Sequence, residues 1–572
     1  MTYSRIPVAQ SIVHLCLRKG IHQVVISPGS RNAPLTIGFT KHPKIKAYSI
    51  VDERCAAFFG LGIAQQTHTP VALVCTSGSA LLNYYPAISE AFYSDIPLVV
   101  ISADRPTERV DIGDGQTIRQ KNVFENHILY SANLYSEIVP KTPVTDPAVL
   151  QKLEESQRHN EQEINKALNI AIEQQGPVHI NVPFYEPLYD VVAQESVKPI
   201  DVLPKPIAPE LQENELDTYI DIWNAAKRKL VVVGVLPPNS LEQHIVDYLG
   251  SQPDVLVFTE TTSNLHHPNF CTRIDNLIGS LDDSGFKDLQ PEVLLTFGGM
   301  VISKKLKAFL RNYQPKHHWH VDEKKAYDTY FCLNKHFEVS PETFFTAFID
   351  KVQSQVSTYQ SHWLKIRAKR DRLHEAYIAE MPWCDFKVFD MILSDIPNNY
   401  QLQLGNSSAV RYAQLFDLNK TLSVYCNRGT SGIDGSTSTA IGATVATQKP
   451  TILITGDLSF FYDSNALWNQ YVPKHFRIIV INNSGGGIFR ILPNKDKDSD
   501  NFNTFFETTH SLDASHLCKM YDWEYKSAGD EAAYAFAKAS LYQPTDRPVL
   551  LEIFTPRTIN DEVLLRYFDF IR

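Results

Sequence analysis

Short apolar, β-branched runs of about five residues recur along the whole of this 572-residue chain. Nearly every one stops on Gly, Ser, Asn, Asp or Arg, and stretches with helical spacing lie between them. Parallel strands need crossover connections and are covered on both faces, so this alternation implies an α/β fold with parallel sheets between helices. The polar stops of such a sheet share one edge, where ligands of open α/β folds bind. Functional residues are therefore sought at the strand ends.

The alternation occurs in three blocks. In the first, strands are expected at 23–26, 45–51, 71–75, 98–101 and 178–182. They end in SPGSRNAPL (Ser30, Arg31), DER (Glu53), TSGSA (Ser77, Gly78) and SADRP (Arg105). The Pro-rich tract VKPIDVLPKPIAP then reads as an extended linker. The second block has strands at 229–235, 255–259, 293–297 and 318–321. Its stops carry few acids or nucleophiles, so it reads as mainly structural, with Lys304 the exception. The charged stretch 354–377 reads as a solvated connecting helix. The third block has strands at 400–404, 422–425, 451–455, 477–481 and 549–553, ending in GNSSAVR, CNRGTSGIDG, GDLS and NNSGGG. The domains expected are 1–186, a linker 187–209, 210–350, a helical connection 351–385, and 386–572.

Composition narrows the function classes. Hydrophobic residues make up 43% and charged residues 21%, ordinary for a globular chain. No apolar run approaches the roughly 20 residues that span a bilayer, and MTYSRIPVAQ lacks the apolar core of a secretion signal. The eight cysteines form no CxxC pair, which argues against zinc and a disulfide framework and for a reduced, cytoplasmic protein. A net charge of −10 without a long basic run argues against nucleic acid. Small acidic substrates stay open, because a few local arginines can outweigh the global balance.

The most informative stretch is 451–492, read as two buried strands joined by a helix. The first stops on Gly456-Asp457 and the second on Asn482-Asn483-Ser484-Gly485. On one sheet edge Asp457 and Asn483 would face each other as hard oxygen donors, a pairing that suits Mg²⁺ or Mn²⁺ together with phosphate oxygens. A Gly-Asp stop is also common in any α/β chain, and Asn-Gly alone marks a turn.

Taken together and in order, SPGSR, VDER, TSGSALLN, ADRP, GPVHINVP, NRGTSGIDG and GDLS…NNSGGGIF resemble the thiamine-diphosphate enzymes. The resemblance implies three Rossmann-like domains of the thiamine-diphosphate-binding type, the first holding the cofactor's pyrimidine and the third its diphosphate. It implies Asp457, Asn483 and the Gly485 carbonyl as metal ligands, with Ser77, Gly78, Ile433, Gly456, Leu458 and Ser459 also against the cofactor. Glu53 would be the catalytic carboxylate, hydrogen-bonded to N1′ of the aminopyrimidine. Its plain alternative is a surface acid paired with Arg54. Ile433 would hold the cofactor in its bent form, or else be an ordinary core residue. Since the cofactor of this family spans two subunits, a homodimer or homotetramer is implied.

SPGSRNAPL, the ADRP…GQTIRQ pair, GNSSAVR and NRGTSGIDG narrow the resemblance to carboligases that join 2-oxoglutarate to isochorismate. Arg31, Arg105, Arg411 and Arg428 each follow an expected strand, and Arg suits bidentate carboxylate recognition. The resemblance places Ser30, Arg31, Arg105, Gln116, Lys304, Ser407, Arg411 and Arg428 at the substrates, with Ile488, Phe489 and Leu492 as apolar wall. Arg411 reads equally as a solvated helix residue. Residues 494–505 read as a mobile lid or as a plain surface loop. The chain departs from the family pattern at Leu458, where many members have Gly, and at Gly115, where Asn is frequent. Two rivals remain. One is another carboligase of the family, acetolactate-synthase-like. The other is a nucleotide- or flavin-binding protein, for which GLGIAQ at Gly60 hints at a dinucleotide turn.

Overall fold

The computed structural model describes residues 2–136, 144–205, 211, 213–492 and 496–572. Residues 206–209 of the expected linker, Glu210 at the start of the expected central domain, and Asn494 and Lys495 of the 494–505 loop lie outside the described residues. The chain groups into two compact units, one of residues 1–207, 429–449 and 461–476, the other of 208–428, 450–460 and 477–572.

The first unit contains a six-stranded sheet of β1 (Gln23–Ile26), β2 (Lys46–Ser49), β3 (Val71–Cys75), β4 (Leu98–Asp104), β5 (Tyr130–Asn133) and β6 (Val178–Pro183). Its order is β2-β1-β3-β4-β6-β5, parallel throughout. The second unit holds two sheets. Strands β7 (Lys229–Val233), β8 (Val255–Thr259), β9 (Val293–Phe297), β10 (His317–Val321) and β11 (Leu333–Phe337) lie in the order β8-β7-β9-β10-β11. Strands β12 (Gln401–Leu404), β13 (Ser423–Cys426), β14 (Thr451–Gly456), β15 (Phe476–Asn482), β16 (Glu524–Ala528) and β17 (Val549–Phe554) lie in the order β13-β12-β14-β15-β17-β16. The α/β class expected from the alternation is thus present three times.

Burial on both faces explains the near-continuous apolar runs. In β7, Val231 and Val233 join one core cluster while Leu230 and Val232 join another across the sheet. Strands β5, β11 and β16 were not expected from the sequence, and all three are sheet edges. YSAN, LNKHF and EYKSA are only partly buried, so no apolar run announces them.

The expected helix between the strands of 451–492 is present, short, at Asp457–Tyr462, and a tight turn at Ser464–Trp468 follows it. Two further expectations are corrected. The charged stretch near 354–377 is a helix, Tyr359–Ala379, but it is not simply solvated: Tyr359, Trp363, Arg370 and His374 are buried. GLGIAQ is no dinucleotide turn but the interior of the helix Glu53–Thr67. A Cβ at Gly62 would overlap the carbonyl oxygen of Thr439, and one at Gly442 that of Phe59. These glycines let that helix and the helix Ser436–Thr447 cross in backbone contact.

Candidate functional site

In the first unit, Glu53 is the opening residue of its helix, where a carboxylate is favoured by the free N–H groups. Asp52 caps the same helix, accepting from Cys55 N–H at 3.1 Å. Arg54 turns elsewhere. Its guanidinium donates to the Tyr462 carbonyl at 2.6 Å and lies 4.3 Å from the centre of that ring. The alternative of a Glu53–Arg54 surface pair is therefore overturned. Glu53 Oε2 instead has the Asn83 amide at 3.4 Å. Its charge, after burial, pushes the Cys75 thiol up, which places it beside the end of β3.

The stops of β1 and β4 carry the expected substrate residues Ser30, Arg31 and Arg105, and the stop of β3 the expected cofactor residues Ser77 and Gly78. Arg31 is buried, donating to the Phe184 carbonyl at 3.2 Å and to Glu186 Oε1 at 3.1 Å, while its Nε has no partner among the described residues. Burial and then the neighbouring Arg105 lower its pKa. Two guanidiniums this close, one largely desolvated, make a place for an anion. Arg105 donates to the Gly115 carbonyl at 3.1 Å. Gly78, at φ +89°, sits against the Gln116 backbone, and Gln116 itself has φ +53°. Ser77 is buried, its hydroxyl unpartnered among the described residues, and Ser30 is exposed.

Ile433 is not a core residue: 39% of it is exposed at the tip of the loop before the helix Ser436–Thr447. Sequence reasoning missed what holds this loop. Glu90, 1% exposed, accepts from Gly429 N–H at 2.6 Å, Thr430 N–H at 2.7 Å and the Thr430 hydroxyl at 2.9 Å. The buried Asp463 similarly accepts from Ser438 N–H at 2.7 Å, and burial raises its pKa to about 6.

In the second unit β14 and β15 are neighbours, as their stops required. Asp457 Oδ1 accepts from Leu458 N–H at 2.7 Å and Oδ2 from Gly485 N–H at 2.9 Å, with His510 Nε2 at 3.2 Å. The Asn483 amide donates to Asp385 Oδ2 at 2.9 Å, leaving Oδ1 without a protein donor among the described residues. Gly485, at φ +149°, uses its carbonyl for Gly487 N–H at 3.0 Å, and a second lone pair remains. A Cβ at Gly456 would meet nothing within 4 Å among the described residues. Ser459 is buried and Leu458 half-buried. Among the described residues no three His, Cys, Asp or Glu side chains form a metal cluster. One carboxylate, one amide oxygen and one carbonyl nevertheless fit a hard cation whose shell is completed by phosphate oxygens and water.

Lys304, Arg411, Ile488 and Leu492 line one cavity of about 180 Å³. Arg411 belongs to the helix Ser408–Ala413, in line with its reading as a helix residue, but is half-buried there and not fully solvated. It donates to the Ser407 carbonyl at 2.8 Å, and Ser407 carries φ +67° at the helix entrance. Arg428 is buried and donates to Asn406 Oδ1 at 2.7 Å. Phe489 lies outside this lining, 6.3 Å from Phe506 between ring centres. The described part of 494–505 is anchored. Arg490 donates to the Lys497 carbonyl at 3.1 Å and to Asp498 Oδ1 at 3.3 Å, and Phe502 is buried.

The middle sheet is richer in acids than its sequence suggested. Strand β8 ends directly on Glu260, which is 3% exposed and lines the same cavity as Lys304. It accepts from Ile302 N–H at 2.7 Å and Ser303 N–H at 2.8 Å, yet burial raises its pKa to about 7. Asp275, also at the cavity, accepts from the Ser303 hydroxyl. The signal for Glu260 was present as a polar stop after an apolar run.

Residues 6–131 match the N-terminal TPP binding domain of thiamine pyrophosphate enzymes, and residues 405–553 match the C-terminal TPP binding domain. The chain belongs to the thiamine pyrophosphate enzyme family. Within it, the chain is similar from end to end to several 2-succinyl-5-enolpyruvyl-6-hydroxy-3-cyclohexene-1-carboxylate synthases. That of Christiangramia forsetii is 60% identical over 100% of both chains. That of Flavobacterium psychrophilum is 54% identical over 99% of each. That of Porphyromonas gingivalis is 38% identical over 97% of this chain and 95% of the relative.

Proposed function

We propose that this chain decarboxylates 2-oxoglutarate and adds the resulting four-carbon unit to isochorismate, giving 2-succinyl-5-enolpyruvyl-6-hydroxy-3-cyclohexene-1-carboxylate and CO₂ for menaquinone biosynthesis. The observation that carries this reading is the end-to-end identity with synthases of that name. The clustering of Arg31 with Arg105, and of Lys304 with Arg411, supports it, because both substrates are dicarboxylates.

When bound, thiamine diphosphate supplies the carbon nucleophile and the electron sink for loss of CO₂. The chain's own residues do the rest. Asp457, Asn483 Oδ1 and the Gly485 carbonyl would hold the divalent cation, Mg²⁺ or Mn²⁺, that ties down the diphosphate. Glu53 would share a proton with N1′ of the aminopyrimidine, and Ile433 would press the cofactor into its bent form. The arginines and Lys304 orient the carboxylates of the two substrates, while Ile488, Phe489 and Leu492 exclude water.

In this reading Glu53 comes from one copy of the chain and Asp457 from another, so the working unit is at least a homodimer. The domains are then a pyrimidine-binding domain at 1–186, a linker at 187–209, a central domain at 210–350, a helical connection at 351–385 and a diphosphate-binding domain at 386–572. The eight cysteines, all free, suit a reducing cytoplasm, and among the described residues no helix is long and apolar enough to cross a membrane.

The decisive assay is CO₂ release from 2-oxoglutarate by the purified protein with thiamine diphosphate and Mg²⁺. Release that depends on isochorismate supports the reading. Release that proceeds with pyruvate instead would favour an acetolactate-synthase-like activity.

A further inference from the structure

We propose that Asp385 is a positioning residue that fixes which way round the Asn483 side-chain amide sits, and so delivers its oxygen to the cation. This rests on the reading of Asn483 as a cation ligand. Asp385 opens the helix Asp385–Ser394 and is 2% exposed. Its Oδ2 accepts from Asn483 Nδ2 at 2.9 Å and its Oδ1 from the Thr555 hydroxyl at 2.6 Å. Its backbone N–H donates to Asn560 Oδ1 at 2.8 Å, which fixes the residue from the other side.

An asparagine amide is donor at one end and acceptor at the other, whereas a carboxylate only accepts. Turning the Asn483 amide over would set its oxygen against Asp385 Oδ2. Two acceptors would then meet in a site where Asn483 is 7% exposed and Asp385 2%, with little water to relieve them. The observed orientation is thus the one the carboxylate enforces, and it turns Asn483 Oδ1 away from Asp385. Gly487 leaves the room this needs, since a Cβ there would lie 3.0 Å from Asn483 Nδ2.

The test is calorimetric titration of the full-length protein with thiamine diphosphate at a series of Mg²⁺ concentrations, which needs no turnover. Asp385→Asn can present either end of its amide to Asn483, so the bias is lost. The Mg²⁺ midpoint for cofactor binding should rise about 10–100-fold. The exchanged pair Asp385→Asn with Asn483→Asp should restore it, because the amide introduced at position 385 can donate to a carboxylate whose other oxygen faces outward either way. A merely structural role for Asp385 would lower the melting temperature in both variants and give no such rescue. An unchanged midpoint in Asp385→Asn, or no recovery in the exchanged pair, overturns the proposal. Asn483→Ala separates the two failures: if it too leaves the midpoint unchanged, the reading of Asn483 as a ligand has failed.

Discussion

The first and third sheets have the same strand order, yet their strand ends carry different chemistry. In both, the second strand lies outside the first and the third lies on its other side, so a crevice opens between the first and third strands. In the first sheet that crevice is flanked by Ser30–Arg31 and Ser77–Gly78, in the third by Ser407 and Gly456–Asp457. The middle sheet starts with the same order but closes its crevice. All three sheets make one bond just past the first strand, Ser27 N–H to the Val74 carbonyl, Gly405 N–H to that of Ile454 and Gly234 N–H to that of Phe297, but the middle sheet adds Gly299 N–H to the Val235 carbonyl at 2.8 Å, so its pairing continues further. A Cβ on Gly234 would overlap the Gly299 carbonyl oxygen. One topology therefore yields an open ligand edge or a sealed one, according to whether the residues after the strands keep their backbones apart. The middle sheet's polar residues, Glu260 and Lys304, line a cavity elsewhere.

The contrast can be broken by substitution. The largest effect is expected at Glu53, where Glu53→Gln should lower carboligation by about 10²–10⁴-fold with the melting temperature held. Near-wild-type turnover would remove Glu53 from the chemistry. Next, Gly234→Ala should destabilise the protein by about 1–3 kcal/mol while sparing cofactor affinity. Gly456→Ala, with open space around it, should leave unliganded stability within about 0.5 kcal/mol and weaken cofactor binding. Denaturant melts and cofactor titrations read both, and a reversed pattern would mean that the open and sealed edges have been misassigned. Arg411→Ala should raise the KM of one dicarboxylate about 10–100-fold, the loss of a charged hydrogen bond, with kcat changed less.

The most gradual effect is a pH slope. Glu260 titrates near 7 in the folded chain against 4.5 ordinarily, so the fold favours its protonated form. That contribution, at most about 3 kcal/mol, is full below pH 4.5 and is lost as pH rises towards 7. Stability curves of wild type and Glu260→Gln should therefore converge at low pH and separate towards neutrality, the variant losing less. Parallel curves would refute the shift.

Much of this was legible because buried parallel strands must be apolar and must stop on polar residues at one edge. Asp457, Asn483 and the arginines were singled out as candidates in that way. The edge strands β5, β11 and β16 were not, since a strand with one open side needs no apolar run. Glu90, Asp385 and Asp463 were also missed. Each lies on a helix or in a turn rather than at a strand stop, and its role is fixed by partners 25 to 340 positions away. Arg411 was read both as a substrate residue and as a helix residue, and it lies on the short helix into which the stop after β12 runs.

The account turns on two sheets of like topology supplying unlike halves of one site from two copies of the chain. Mixing the inactive variants Glu53→Gln and Asp457→Ala tests this most directly. If each site takes Glu53 from one copy and Asp457 from the other, half of a random mixture is hybrid dimer with one intact site in two, and activity should return to about a quarter of wild type. If activity stays at the level of the separate variants although hybrid dimers form, both residues act within a single copy and the account is wrong.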